Sequence, residues 1–192
     1  MHHPVIMALI ATAWAWAAAE FLLQTRQRWR SERTERTEWR SFLVIVVLFA
    51  GGVALARLAR HAVPAVSYSV HGPVLQGAVL AVAWAGIALR LWSILTLGRF
   101  FRGTVHIQHG HKVVTSGPYR WVRHPSYSGL LLAALAFAVL FGNGLSWLLF
   151  AACILAAVLY RIRVEERMLL DALGEEYRVY AARTRRLVPG VW

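Results

Sequence analysis

The stretch GLLLAALAFAVLFGNGLSWLLFAACILAAVLY, Gly129 to Tyr160, carries no charged side chain. A bilayer core of about 30 Å is crossed by about 20 mostly apolar helical residues, so this run is too long for one span. Gly142-Asn143-Gly144 interrupts it with a turn signal, leaving two helices of roughly 16 residues, each about 24 Å long. The stretch therefore predicts a helical hairpin in a membrane. Three further apolar runs precede it: Pro4 to Leu23, with Glu20 as its one charge, about Phe42 to Leu58, and about Pro73 to Leu97, with Arg90 inside it. Five spans follow, and with them an all-α, polytopic membrane fold in a single domain over 1–192. The first run has no small-residue cleavage site behind a basic start and reads as a retained anchor. Arg90 has two readings: it snorkels to a nearby interface, or it faces a polar cavity.

Composition agrees. The chain of 192 residues is 58% hydrophobic and contains nine Trp but only 16% charged residues, against roughly 25% in an ordinary soluble domain. Its formal charge of +12 is read against membrane topology, because Lys and Arg concentrate in cytoplasmic loops. Residues 24–41 carry six, 98–125 five and 161–192 seven, whereas 59–72 carry one and the 142–144 turn none. This asymmetry predicts an N-terminus outside and a C-terminus in the cytoplasm. Between Arg26 and Arg40 the Arg residues alternate with Glu32, Glu35 and Glu38, and Arg28–Glu32 and Glu32–Arg36 are helical i,i+4 spacings. The expectation is a solvated helix flanked by Trp29 and Trp39, and no nucleic-acid partner, since the Arg charge is offset by Glu. The single cysteine, Cys153, excludes an internal disulfide framework and a cysteine-only zinc site.

Residues able to do chemistry lie in 98–129 and 160–192, and 98–125 and 161–192 are expected to form a short, mostly helical cytoplasmic cap. Arg123-His124-Pro125-Ser126-Tyr127 leads straight into the fourth span, with Pro125 suited to the first helical turn. Free N–H groups at a helix start suit a carboxylate or phosphate, so 124–127 reads either as a ligand cradle or as a plain helix start with Arg123 and Tyr127 as interface anchors. Arg161 and Glu165 share a helix face where the fifth span ends. They read either as an ion pair or as groups that hold opposite charges of a ligand. His106, His109 and His111 lack interspersed Cys or acidic residues and i,i+4 spacing, so no metal site is assigned.

Together these motifs resemble the isoprenylcysteine carboxyl methyltransferase superfamily, whose second branch methylates phospholipids. The resemblance rests on Leu97-Gly98-Arg99-Phe100-Phe101, on Val113 through Arg120 and on Val122 through Gly129. It continues in Glu165-Glu166, Leu169-Leu170, Gly174-Glu175-Glu176-Tyr177, Tyr180 and Arg183 through Pro189, so that it covers roughly 90–192. Residues 1–70 show only generic spans. The resemblance implies an integral membrane enzyme that uses S-adenosyl-L-methionine without a Rossmann domain, and the chain has no strand followed by Gly-x-Gly-x-x-Gly.

Carried across residue by residue, the cofactor contacts fall on Gln108, His111, Lys112, Val113, Val114, Tyr119, His124, Pro125, Ser126, Tyr127 and Glu165. Arg161 takes the substrate position, and Arg161 and Glu165 are the residues assigned to catalysis. In this reading Glu165 holds the α-ammonium of the cofactor, the N–H groups of 124–127 receive its carboxylate, and Arg161 orients the acceptor. A carboxylate acceptor is already deprotonated at neutral pH and needs no strong base. The expected acceptor is lipophilic and enters from the bilayer: the carboxylate of an isoprenylcysteine-like molecule, or alternatively the amine of a phospholipid such as phosphatidylethanolamine. An NADPH-dependent sterol-type reductase is the rival enzyme class, because some carry a similar Arg-His-Pro element. They usually place an acidic residue soon after the Tyr, where this chain has Ser128-Gly129-Leu130. A non-enzymatic scaffold is the third reading.

Overall fold

The computed structural model describes residues 4–30, 34–70, 72–101, 105–108 and 112–190. Five helices carry the fold: α1 (Pro4–Arg30), α2 (Arg40–Ala62), α3 (Pro73–Leu97), α4 (Pro125–Ala138) and α5 (Gly144–Arg183). The expected hairpin between α4 and α5 is present. A 3-10 turn, Val139–Phe141, runs into Gly142 at φ 63°, a left-handed conformation that glycine adopts without strain. Asn143 then caps α5, accepting from the Ser146 amide at 3.0 Å while its own amide nitrogen donates to the Val63 carbonyl and the Ser67 hydroxyl. One buried side chain thus starts α5 and holds the α2–α3 connection.

Among the described residues three helices are long and apolar enough to cross a membrane by themselves: α2, α3 with its 3-10 extension to Phe100, and α5; α4 with its 3-10 turn is a shorter apolar helix. The most apolar window of α2 has a mean hydropathy of 2.4, yet only 17% of it is buried inside the protein. Leu43, Val47 and Leu58 on α2, Val74 and Trp84 on α3, and Trp14, Phe21 and Leu22 on α1 point outward. Such a surface is stable against lipid rather than water, and the chain is an integral membrane protein. At about 1.5 Å per residue α5 is about 60 Å long, twice the hydrocarbon thickness. Its apolar part, 144–160, matches a span, and its charged part, 161–183, emerges and bends at Gly174.

Two helix pairs make the core. Against α5, α2 buries Ala56 among Phe150, Ile154, Ala134 and Ala138. Against α4, α3 packs backbone to backbone: a Cβ on Gly129 would lie 2.5 Å from the Gly86 carbonyl oxygen and 2.7 Å from the Arg90 amide, and one on Gly86 would meet the Gly129 oxygen at 2.7 Å. Small residues permit this approach where no hydrophobic effect draws helices together. Arg90, beside this contact, is buried and neither snorkels nor faces water. Its Nε donates to Glu20 Oε2 at 2.8 Å and its Nη2 to Glu20 Oε1, which joins α1 to α3.

Two expectations are corrected. The segment 26–40 is not one solvated helix: α1 ends at Arg30, and Thr34–Glu38 forms strand β1, antiparallel to β2 (Val105–Gln108), with Glu38 opposite Val105 and Thr34 opposite Gln108. Thr34, Thr37, Val105 and Ile107 favour extended backbone, and pairing outweighs the few tenths of a kcal/mol that i,i+4 ion pairs offer a helix. Among the described residues of 98–125 the cap is likewise mostly non-helical, built from β2, two 3-10 turns and segments without regular secondary structure. The pairing of β1 with β2 joins the two basic segments 24–41 and 98–125 through Thr34–Glu38 and Val105–Gln108.

Gly129→Val is expected to lower the melting temperature of the detergent-solubilised protein by the equivalent of about 3 kcal/mol or more. Gly77→Ala, where a Cβ meets nothing within 4 Å, is expected to leave it unchanged or slightly raised.

Candidate active site

The fourth helix starts where the sequence places it. His124 precedes it and Pro125 is its first residue, so the backbone enters α4 with a fixed φ and one fewer orphan N–H. This turn carries Tyr127 beneath the emerging part of α5. Arg161 Nε donates to the Tyr127 hydroxyl at 2.6 Å, and that hydroxyl donates to Glu165 Oε2 at 2.7 Å. A guanidinium and a carboxylate one helical turn apart are thus bridged by a phenol from another helix. Neither reading of the Arg161–Glu165 spacing anticipates that bridge. Arg161 is buried and Glu165 half-buried.

Beside this group Glu166 gathers three partners. Its Oε1 accepts from Arg123 Nε at 2.9 Å and lies 3.3 Å from His124 Nε2, and its Oε2 accepts from Arg186 Nε at 2.9 Å. Arg123 Nη1 also donates to the carbonyls of Ala181 and Thr184. The amides of Arg123 and His124 donate to the carbonyls of Arg185 and Arg186, and Ser128 Oγ donates to the Leu187 carbonyl at 2.6 Å. The chain before α4, the emergent part of α5 and the C-terminal tail are thereby joined around one carboxylate. Burial works to raise the Glu166 pKa, but His124, Arg123 and Arg186 outweigh it and hold it down at about 2.

His124 stacks on Tyr127 with ring centroids 5.7 Å apart, so the Glu166 group buttresses the Tyr127 group. Tyr119, in the 3-10 turn Gly117–Arg120, is buried: its hydroxyl reaches the Ser93 carbonyl at 3.4 Å and its carbonyl accepts from Tyr180. Burial, then the Glu165 charge, push the Tyr119 hydroxyl pKa up, which keeps it a neutral donor.

The structure therefore brings together Tyr119, His124, Pro125, Ser126, Tyr127, Arg161 and Glu165. Lys112, Val113 and Val114 lie in a segment without regular secondary structure that is tied to α5 farther on, where the Val113 amide donates to Glu176 Oε1 at 3.4 Å. Gln108 ends β2 opposite Thr34, and His106 lies in the same strand. His111 and His109 lie outside the described residues. The N–H cradle expected at 124–127 is reduced: the His124 amide donates to Arg186 and the Tyr127 amide to the His124 carbonyl, and Pro125 has none, which leaves the amide of Ser126. Glu166 was missed as a structural centre. Its signal is the helix face: Ile162 and Val158, four and eight residues back, are fully buried, so a carboxylate on that face must find cations from elsewhere in the chain.

Charges of both signs, an aromatic hydroxyl and a stacked imidazole suit a zwitterionic ligand of amino-acid type. A second feature lies within the helices. An open pocket of about 710 Å³ is bordered by α1, α2, α4 and α5, walled by apolar side chains including Trp16, Phe49, Phe137 and Phe141, with Glu20 and Gln24 as its polar members.

A family model described as the isoprenylcysteine carboxyl methyltransferase (ICMT) family matches residues 79–171. Protein-S-isoprenylcysteine O-methyltransferase B of Arabidopsis thaliana is 38% identical over 108 residues, 55% of this chain and 55% of that protein. Methanethiol S-methyltransferase 1 of Bradyrhizobium diazoefficiens is 29% identical over 182 residues, 90% of this chain and 63% of that protein. A solved structure of the eukaryotic intramembrane Ras methyltransferase, isoprenylcysteine carboxyl methyltransferase, superposes with a TM-score of 0.56 at 26% identity, covering 76% of this chain and 52% of that one. The chain spans a little over half the length of the plant relatives it matches.

The Glu166 carboxyl, held below its ordinary value of 4.5, contributes stability that is fully present above about pH 4.5 and is lost as pH falls toward about 2. Glu166→Gln is expected to cost about 2–4 kcal/mol at neutral pH and to remove that share of the acid sensitivity. Melting temperatures from pH 7 to pH 3 check it: the gap between wild type and variant should narrow as pH falls.

Proposed function

The chain belongs to the isoprenylcysteine carboxyl methyltransferase family, and from that membership we propose that it is a membrane enzyme that transfers a methyl group from S-adenosyl-L-methionine to a lipophilic acceptor. The observation that carries the proposal is the bridge Arg161–Tyr127–Glu165, which sets a cation and an anion at the mouth of the helices. The residues fit the cofactor chemically: Glu165 suits its α-ammonium, the Ser126 amide its carboxylate, and the faces of Tyr127 and Tyr119 its sulfonium. The bound cofactor supplies an electrophilic methyl group. What this chain supplies is orientation and exclusion of water. Arg161 takes the acceptor's anionic group in a bidentate grip, and the buried Tyr119, His124 and Arg161 surround the reacting pair with fixed donors. Attack on a sulfonium neutralises charge, so a site with little water favours it and no strong base is needed for a carboxylate. The apolar cavity between α1, α2, α4 and α5 supports a lipophilic acceptor reached from the bilayer, an isoprenylcysteine-like carboxylate first. The distribution of Lys and Arg supports a cytoplasmic site with the N-terminus outside.

A second acceptor chemistry has a specific observation behind it. The relative matched over 90% of this chain, through its N-terminal helices, is a thiol methyltransferase by name. The two acceptors differ in pH dependence: an acceptor thiol ionises near pH 8.5 and an acceptor carboxylate below 5. The rate with a thiol is expected to climb tenfold per pH unit from 6 to 8, and with a carboxylate to stay flat.

Calorimetry of detergent-purified protein with S-adenosylmethionine and with NADPH tests the class. Saturable binding of the first, lost in Glu165→Gln, is expected; binding of NADPH alone would overturn the proposal in favour of a reductase, and binding of neither in favour of a scaffold. Arg161→Ala is expected to lower kcat/KM about 100-fold, about 2.7 kcal/mol, while changing cofactor affinity less than threefold. Equal loss of both would sink the division of roles.

A further inference from the structure

A guanidinium in the apolar middle of a membrane protein is costly unless its charge and its donors are met. Arg90 meets both conditions in an unusual place. On one side Nε and Nη2 form a two-pronged pair with Glu20 of α1, whose carboxylate also accepts from Gln24 at 3.0 Å. On the other side Nη1 donates to the first turn of α4, to Ser126 Oγ at 3.0 Å and to the Ser126 carbonyl at 3.3 Å. The next residue is Tyr127, whose hydroxyl stands between Arg161 and Glu165. The backbone there has little freedom of its own to find that position. Pro125 fixes one torsion, Gly129 is pressed on the Arg90 amide and the Gly86 carbonyl, and among the described residues Arg90 is the charged side chain that bonds Ser126 of this turn.

We propose that Arg90, held in place by Glu20, is a positioning residue for methyl transfer that sets the Ser126–Tyr127 turn and so fixes the Tyr127 hydroxyl between Arg161 and Glu165. The proposal rests on the methyl-transfer reading for its consequence and on the hydrogen bonds for its geometry. The guanidinium fork is what the task requires: two donors go to Glu20 while a third reaches the turn. A lysine has no such planar fork and cannot satisfy both sides at once. Glu20 has a second aspect. It lines the apolar cavity, so the wall of that cavity and the turn bearing Tyr127 are joined through two side chains, and α1, otherwise tied to the bundle by the Trp84–Thr12 hydrogen bond and the Trp16–Phe137 stack, is registered against the site.

The test combines a spectroscopic and a kinetic readout. With 3-fluorotyrosine incorporated at position 127 alone, the ¹⁹F resonance is recorded in the wild-type background, in Arg90→Lys, Arg90→Met and Glu20→Gln, and in Leu148→Ala on the outward face of α5 as control. The three site variants are expected to shift or broaden the resonance and the control to leave it in place. In methylation assays they are expected to lower kcat about tenfold, with KM and cofactor affinity within threefold, Arg90→Lys falling between Arg90→Met and wild type. If Arg90→Met does not fold, Glu20→Gln and Arg90→Lys, which keep side-chain volume, carry both readouts. An unmoved resonance with unchanged kcat in folded variants overturns the proposal. If the wild type transfers no methyl group, the methyl-transfer reading fails by itself, and the ¹⁹F readout alone decides the positioning: a moved resonance supports it and an unmoved one overturns it.

Discussion

Glu166 lies where three otherwise separate pieces of chain meet, and its carboxylate is the group they share. Arg123 and His124 come from the segment before α4, Arg186 from the tail, and Glu166 itself from the emergent part of α5. Two cations and an imidazole around one buried anion leave few alternative arrangements, because moving any one piece strands a charge in a low-dielectric setting. The backbone repeats the constraint: the Arg123 and His124 amides pair with the tail carbonyls, and the Ser128 hydroxyl takes the next one. The tail thereby closes over the start of α4, with Val122 and Arg185 forming an isolated parallel bridge.

That closure explains why the neighbouring carboxylate can serve a different purpose. Glu165 and Glu166 are adjacent on α5 and so point about 100° apart around the helix. Glu166 faces the tail and is fully engaged in holding it, whereas Glu165 faces Tyr127 and Arg161. With position 166 fixing the height and rotation of the emergent helix, position 165 is delivered to the Tyr127 hydroxyl without having to secure the helix itself. His124 links the two sets, bonding to Glu166 and stacking on Tyr127. A rigid structural group behind a half-buried ligand group is the arrangement that preorganised sites need.

Local signals made much of this legible. Gly142-Asn143-Gly144 divides α4 from α5, Pro125 starts α4, and the four-residue step from Arg161 to Glu165 puts both on the face that meets Tyr127. These features depend on chain geometry over a single turn. The strand at Thr34–Glu38 was hidden because Arg36 stands at a helical i,i+4 spacing from Glu32, and the deciding partner, Val105–Gln108, is about 70 residues away in sequence. Glu20–Arg90 and Arg123–Glu166 were hidden for the same reason: each pairs charges from different spans, and nothing local says which cation faces which anion. The first pair meets where α1 lies against α3, and the second where the start of α4 lies beside the emergent part of α5.

The Gly86–Gly129 contact is what makes the membrane side of the site so tightly specified. Backbones that touch without intervening side chains cannot slide by a fraction of a turn, since each step would drive a carbonyl into an amide at the crossing. Arg90 stands one helical turn beyond Gly86 on α3, and Ser126 stands one turn before Gly129 on α4, so the close crossing fixes the distance between them. The guanidinium then needs a counter-charge that reaches it from the opposite side, and among the described residues α1 supplies it through Glu20. The helix α1, which the Trp84–Thr12 hydrogen bond and the Trp16–Phe137 stack also join to the bundle, is thereby bound by the electrostatics of the site it borders. The same pairing offsets the desolvation cost of an arginine in α3 and a glutamate in α1.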